Sequence, residues 1–229
     1  MSGFDGFPKG CVPFLRKLAR NNNRAWFHEH KQEYEDKVRE PALKFIEAMQ
    51  PELEKISPHF RAIPKKVGGS LMRVYRDTRF ANDKTPYKIN VGIQFRHALG
   101  KDVHAPGFYL HIAADGCFFG AGLWRPESKV LNNIREFIAD NPNAWKQALE
   151  NRAFKKAYEL RGDTLIRPPR GYPADHPLIV DLKRKDFIAF ADFDVADIEQ
   201  KNFAKLTGKA FAKTAPFMSY LCMAVDANY

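Results

Sequence analysis

The sequence predicts an α+β fold, a central antiparallel sheet of about four or more strands with N-terminal and C-terminal helices packed on it. Three observations carry this. Apolar residues recur at helical spacing in the first third of the chain and again in its last part, while the middle switches to a period of two. The strands of the middle follow one another through short connections, one of them an Asp115-Gly116 turn that tolerates positive φ. Helices, then strands, then helices is the order of an α+β domain, and no linker or repeat divides the chain, so a single domain over 1–229 is expected.

Taken in order, Pro13 to Arg20 is a short amphipathic helix carrying Phe14, Leu15 and Leu18, closed by Asn21-Asn22-Asn23. Asparagine suits a helix start because its side chain accepts from an otherwise unpaired backbone N–H. A long helix is expected from Arg24, with Trp26, Phe27, Tyr34 and Val38 inward, kinked or split at Pro41. Its second part, Ala42 to Ile56, presents Phe45, Met49, Leu53 and Ile56. Ser70 to Arg76 is read as a strand. Ile89, Val91, Ile93 and Phe95 alternate with polar or small neighbours as a second, and Phe108, Leu110 and Ile112 mark a third. Cys117 to Trp124 is the return strand, with Gly120 and Gly122 on one face. Helices then cover Pro126–Ala139, Ala144–Glu150, Ala153–Tyr158, Val195–Leu206 and Lys209–Ala224, with an irregular loop at Arg167–Pro177.

Composition narrows the class. The 229 residues carry 37 Lys and Arg against 27 Asp and Glu, a net charge of +10 that lies mainly in the first half. Such a balance favours anionic partners, whether small molecules, nucleic acid or a membrane surface. No apolar run approaches the ~20 residues of a membrane span, the N-terminus does not read as a signal peptide, and three scattered cysteines suit a reducing compartment, so a cytoplasmic protein is expected. Phosphate-loop, dinucleotide, zinc-protease and serine-hydrolase motifs do not occur. His28 and His30 stand two apart and would diverge on a helix, and Cys11 and Cys117 read as small buried hydrophobes, so neither metal nor cofactor is expected.

The densest polar constellation lies between Arg73 and Lys88, where five basic groups (Arg73, Arg76, Arg79, Lys84 and Lys88) and two aspartates are interleaved with Tyr75, Phe80 and Tyr87. Guanidinium forks and a mobile ammonium bind phosphate or carboxylate oxygens. Arg73, Arg76, Arg79, Lys84, Tyr87 and Lys88 are therefore candidate ligand-binding residues, with Asp77 and Asp83 orienting the cations. The competing reading is an Arg–Asp network that only pins a loop. Lys88, Asn90, Gln94 and Arg96 share one strand face, and Tyr109 shares a face of the next with His111; together they would floor a concave site if aligned with the arginine segment. Gly120 and Gly122 beside Trp124 would let a ligand or another backbone approach. Tyr172 and Asp175 accompany His176 in the late loop; His176, titrating near neutrality, and Asp77 are the candidate acid/base groups.

Arg76-Asp77-Thr78-Arg79-Phe80, three residues, then Lys84-Thr85-Pro86-Tyr87-Lys88 resembles the hallmark of a widespread bacterial and fungal family of conserved hypothetical proteins, a domain of unknown function. The resemblance extends through Phe14-Leu15, Asn21-Asn22 with Trp26-Phe27, Pro106 to Leu110, Gly120-x-Gly122 with Trp124, Ile134-Arg135 and Pro169-x-Gly171-Tyr172. It implies no activity. Three functions stay open: binding of, or action on, a phosphate- or carboxylate-bearing small molecule; binding of nucleic acid; and a structural or protein-interaction role with the Arg–Asp cluster as an internal clamp.

Overall fold

The computed structural model describes residues 3–100 and 105–229. Among the described residues six strands form one sheet in the order β1-β2-β3-β4-β6-β5, every neighbouring pair antiparallel. They are β1 Phe60–Arg61, β2 Asn90–His97, β3 Gly107–Ala113, β4 Cys117–Leu123, β5 Glu159–Arg161 and β6 Phe187–Phe193. The helices are α1 Cys11–Arg20, α2 Arg24–Glu29, α3 Lys31–Tyr34, α4 Glu40–Glu54, α5 Ser128–Asp140, α6 Pro142–Glu150, α7 Arg152–Ala157, α8 Ile179–Leu182, α9 Phe203–Ala212 and α10 Ala215–Ala224. The fold is α+β, with helices from both ends of the chain on one sheet.

That packing is dictated by one face of the sheet. Ile93, Phe95, Phe108, Leu110, Ile112, Leu123 and Phe187 are fully buried. Phe95 lies 6.4 Å from Phe45 of α4, Phe108 stacks on Phe211 of α9 at 4.8 Å, and Trp145 of α6 meets Phe187 edge-on at 5.9 Å. Each such side chain contributes roughly 1.5–3 kcal/mol on burial, so this face alone fixes which helices it must receive.

The N-terminal asparagines divide their work. Asn23 caps α2 by accepting from the Trp26 N–H at 3.0 Å. The long helix expected from Arg24 is instead interrupted at His30, and Pro41 sits in the first turn of α4 without breaking it. A π turn at Glu35–Arg39 lies just upstream, with the Glu40 N–H reaching the Glu35 carbonyl. This wider turn carries the chain past the missing proline donor. The helix expected over Lys209–Ala224 splits at Lys213-Thr214, because Pro216 takes a first-turn position where its lost donor costs nothing. Val195–Leu206 also divides, into a 3₁₀ turn at Val195–Glu199 and the start of α9; the Asp194 carboxylate accepts from the Ala196 N–H.

Ser70–Arg76 is not a strand. It pairs intermittently, through Met72 N–H to the Gly92 carbonyl (2.9 Å), Gln94 N–H to the Ser70 carbonyl (2.8 Å) and Lys88 N–H to the Val74 carbonyl (2.7 Å). Pro86, lacking a donor, cannot sustain a continuous ladder there. Ile89, expected as the first inward residue of its strand, lies before β2 and is exposed.

Buried Asp186 ties the start of β6 to two loops, accepting from Arg125 N–H at 2.6 Å and Asp163 N–H at 3.1 Å. Asp186→Ala would leave both donors without this acceptor, and is expected to cost ~2–3 kcal/mol in chemical denaturation; a loss below about 0.5 kcal/mol would show that the tie is not needed.

Candidate functional site

The face of the sheet away from the helices carries a cleft of about 470 Å³. Its floor follows from strand register. Gly92 pairs with His111, and His111 with Phe118; one step along, Gln94 pairs with Tyr109, Tyr109 with Gly120 and Gly120 with Phe190. A further step places Gly107 opposite Gly122 and Gly122 opposite Ile188. Large rings thus stand at one end and bare backbone lies at the other. Phe118 stacks on His111 at 4.5 Å and meets Phe190 edge-on at 4.8 Å, with Tyr109 at 5.9 Å, so these side chains form one continuous wall. Met72, Lys88 and Asn90 line the side formed by the edge of β2, and Trp124 also lines the cleft.

Lys88 is held there by the arginine segment. The Asn22 side chain grips both backbone groups of Tyr87, donating to its carbonyl at 2.9 Å and accepting from its N–H at 3.1 Å. The Tyr87 ring is buried and stacks on Phe27 at 4.1 Å, so it anchors the segment from the core side and does not line the cleft. Next in sequence, the Lys88 ammonium is half-buried, and among the described residues no carboxylate lies within ion-pairing distance of it. Burial pulls its pKa down, and neighbouring Arg73 adds to this.

Arg73 is exposed beside Lys88 without lining the cleft, and Arg76, Arg79 and Lys84 lie apart from it. Arg76 bonds Asp83 and Thr85, while Arg79 makes a two-pronged pair with Asp77 at 3.0 and 2.7 Å. Lys84 donates to the Thr78 carbonyl at 2.9 Å. The Arg79 and Asp77 side chains keep 77% and 61% of their surface exposed, so this network braces the loop from outside. Arg79 hydrogen bonds hold the Asp77 carboxyl at about 2, and those of the Thr85 N–H and Arg76 hold Asp83 at about 2. Both are ionised at neutral pH. Tyr172 is half-buried and lies edge-on to His176 at 6.0 Å, and the His176 Nδ1 accepts from the Leu178 N–H; neither residue lines the cleft.

Tyr109 and His111 do line it. The Tyr109 hydroxyl lies 3.2 Å from His111 Nδ1, and the Asn90 amide 3.5 Å from the same nitrogen. Burial pushes the Tyr109 hydroxyl up to about 12 and the His111 imidazole down, the latter opposed by Asp115. The pair is therefore uncharged at neutrality. His30, by contrast, stacks on Trp26 at 4.0 Å. Among the described residues no three of His, Cys, Asp and Glu gather as a metal site. Sequence reasoning did not identify Met72, Phe118, Ile188 or Phe190 as site residues. For the last two the signal was the short apolar run Phe187–Ala191, a strand apolar on both faces.

Residues 10–220 match the model of the conserved hypothetical protein family DUF2461, and the chain belongs to that family. Comparisons with curated proteins and with solved structures each gave no match.

The buried imidazoles set an acid limit. His111 and His97 both have folded values below the ordinary 6.5, chiefly through burial, so the unfolded chain takes up protons first as pH falls. Stability is expected to be full above about pH 6.5 and to decline as pH falls below it, with His111→Gln flattening part of the decline in Tm. Asp77 and Asp83, lowered from 3.8, act only in a more acid window. Identical Tm slopes for the two proteins would remove His111 from this account.

Proposed function

We propose that this member of the family is a small-molecule binding protein, one domain over 1–229, that takes a phosphate- or carboxylate-bearing ligand in the sheet-face cleft. The observation that carries the reading is Lys88, a half-buried ammonium on an otherwise largely apolar cleft, without a protein carboxylate among the described residues. Such a charge is costly to bury unless something neutralises it, and an anionic ligand would do so. Volume agrees, since small-molecule pockets span roughly 300–1,000 Å³. Exposed Arg73 adds positive potential beside Lys88. In this reading Arg76, Arg79 and Lys84, with Asp77 and Asp83, brace the segment that carries Lys88, and Asn90, Tyr109 and His111 orient the ligand. No helix among the described residues is long and apolar enough to cross a membrane, and a cytoplasmic location accords with the composition.

Single-stranded nucleic acid is the second reading. It is favoured by Phe80 and Tyr75, 92% and 60% exposed among the cations of the segment. Exposed rings stack bases while cations neutralise the backbone. Binding would then weaken steeply with salt.

Thermal shift with sugar phosphates, nucleotides, carboxylates and short single-stranded DNA, at low and physiological salt, separates the two. The expected result is a saturable rise in Tm with one small-molecule class. Lys88→Met is expected to weaken that ligand ~10–100-fold, the worth of one charged hydrogen bond, without lowering the Tm of the free protein. Arg79→Ala is expected to lose far less. A wild-type rise retained in full by Lys88→Met, or no rise with any compound, would overturn the proposal.

A further inference from the structure

The cleft is uneven in a way that says what kind of ligand fits, an inference that rests on the small-molecule reading. At one end lies Lys88; at the other, Gly107, Gly120 and Gly122 leave a floor of bare backbone beside the Phe118 wall. Two of these glycines have reasons internal to the fold. At Gly122 the backbone has φ +126° and an added Cβ would lie 1.9 Å from the Phe187 carbonyl oxygen; at Gly107 it would lie 3.0 Å from that of Phe95. Gly120 has none. Its φ is not in the left-handed region, and an added Cβ would make only ordinary contact, 3.4 Å from the Tyr109 Cβ. A glycine inside a central strand weakens it, so a side chain here would be expected on folding grounds. What its absence provides is room in the cleft.

A second, independent observation points to a ligand in the same room. Gln94 lies on the cleft with 9% of its surface exposed, yet only its carbonyl oxygen is used, accepting from Arg96 Nε at 3.3 Å. The Nε2 donors have no protein partner among the described residues. Among the described residues the only fully buried side-chain polar atom without a partner is the Tyr229 hydroxyl, so the Gln94 Nε2 opens onto the cleft, where an acceptor on a ligand can take the place of water.

We propose that the ligand is elongated, with a planar aromatic or heteroaromatic ring lying on the Gly120 floor against the Phe118 wall, an acceptor on that ring taking the Gln94 amide, and an anionic group at Lys88. A flat floor beside upright rings favours a planar body, which gains both stacking and edge contacts. From Asn90, next to the Lys88 end, to Gln94 the strand advances ~13 Å at 3.3 Å per residue, less whatever the lysine stem spans, so ring and anion are joined by a short spacer. Nucleoside monophosphates and aryl-alkyl carboxylates share this layout.

Calorimetric titration tests it with adenosine 5′-monophosphate, uridine 5′-monophosphate and 4-phenylbutyrate as whole ligands, and adenosine and ribose 5-phosphate as halves. At least one whole ligand is expected to bind about 10-fold or more tightly than either half, since both ends then contribute. Tighter nucleotides identify the source as a nucleotide and tighter phenylbutyrate as an aryl acid. Gly120→Val is expected to keep or raise Tm and to weaken the whole ligand about 10-fold or more while sparing ribose 5-phosphate. Gln94→Leu, close in volume, is expected to weaken a nucleotide and spare ribose 5-phosphate, and it serves if Gly120→Val does not fold. Ribose 5-phosphate binding as tightly as every whole ligand, or whole ligands indifferent to both substitutions, overturns the ring assignment and leaves the anion site standing. Absence of binding by all five compounds overturns the ring assignment; an anion site that answers other compounds in the thermal-shift panel would survive it.

Discussion

The sheet carries large rings on both faces, but the helices pack on one. Phe95, Phe108 and Phe187 meet α4, α9 and α6 on the covered side. Phe118, Phe190 and Tyr109, on the other, meet chiefly one another. An uncovered apolar face is costly in water unless it is small, folded into a concavity or occupied. Here the rings gather into a wall, the edge segment leans over β2, and a cleft remains between them. The cleft is thus a consequence of how the helices are distributed, with its shape set by Gly107, Gly120 and Gly122 on its floor.

The second determinant is the grip of Asn22 on Tyr87. One side-chain amide satisfies both backbone groups of an irregular segment, doing there what a neighbouring strand would do. Phe27 completes the anchorage from the core. The helical N-terminus therefore determines where the charged segment runs, and Lys88 reaches the cleft because the residue before it is fixed. The exposed Arg79–Asp77 and Arg76–Asp83 pairs add little energy individually, as exposed pairs do, but they limit the shapes that the loop can take.

Much of this was legible in the sequence, for identifiable reasons. The period-two runs around Ile93, Leu110 and Phe119 gave β2 to β4, because their polar and small residues alternate with the core face. The shared faces of Asn90 with Gln94 and of Tyr109 with His111 were readable from the same alternation, and both faces line the cleft. β6 escaped because Ile188 and Phe190 are as apolar as the residues facing the core, which erases the alternation; three-residue β5 is too short to show one. The cluster Arg73–Lys88 was conspicuous by composition, yet composition could not divide it. Which cation meets the cleft and which meets an aspartate depends on Asn22, 65 residues from Tyr87 in sequence.

Trp124 offers the most direct test that the uncovered face is the binding site. It lines the cleft, whereas Trp26 packs against Phe14 and His30 and Trp145 is buried among Phe187, Phe217 and Tyr220. Tryptophan fluorescence is to be titrated with whichever compound raises Tm, in wild type and in Trp124→Phe. The account predicts a saturable change in the wild type that disappears in the variant while the thermal shift persists. A change of equal size in both proteins would place the ligand elsewhere and contradict the account.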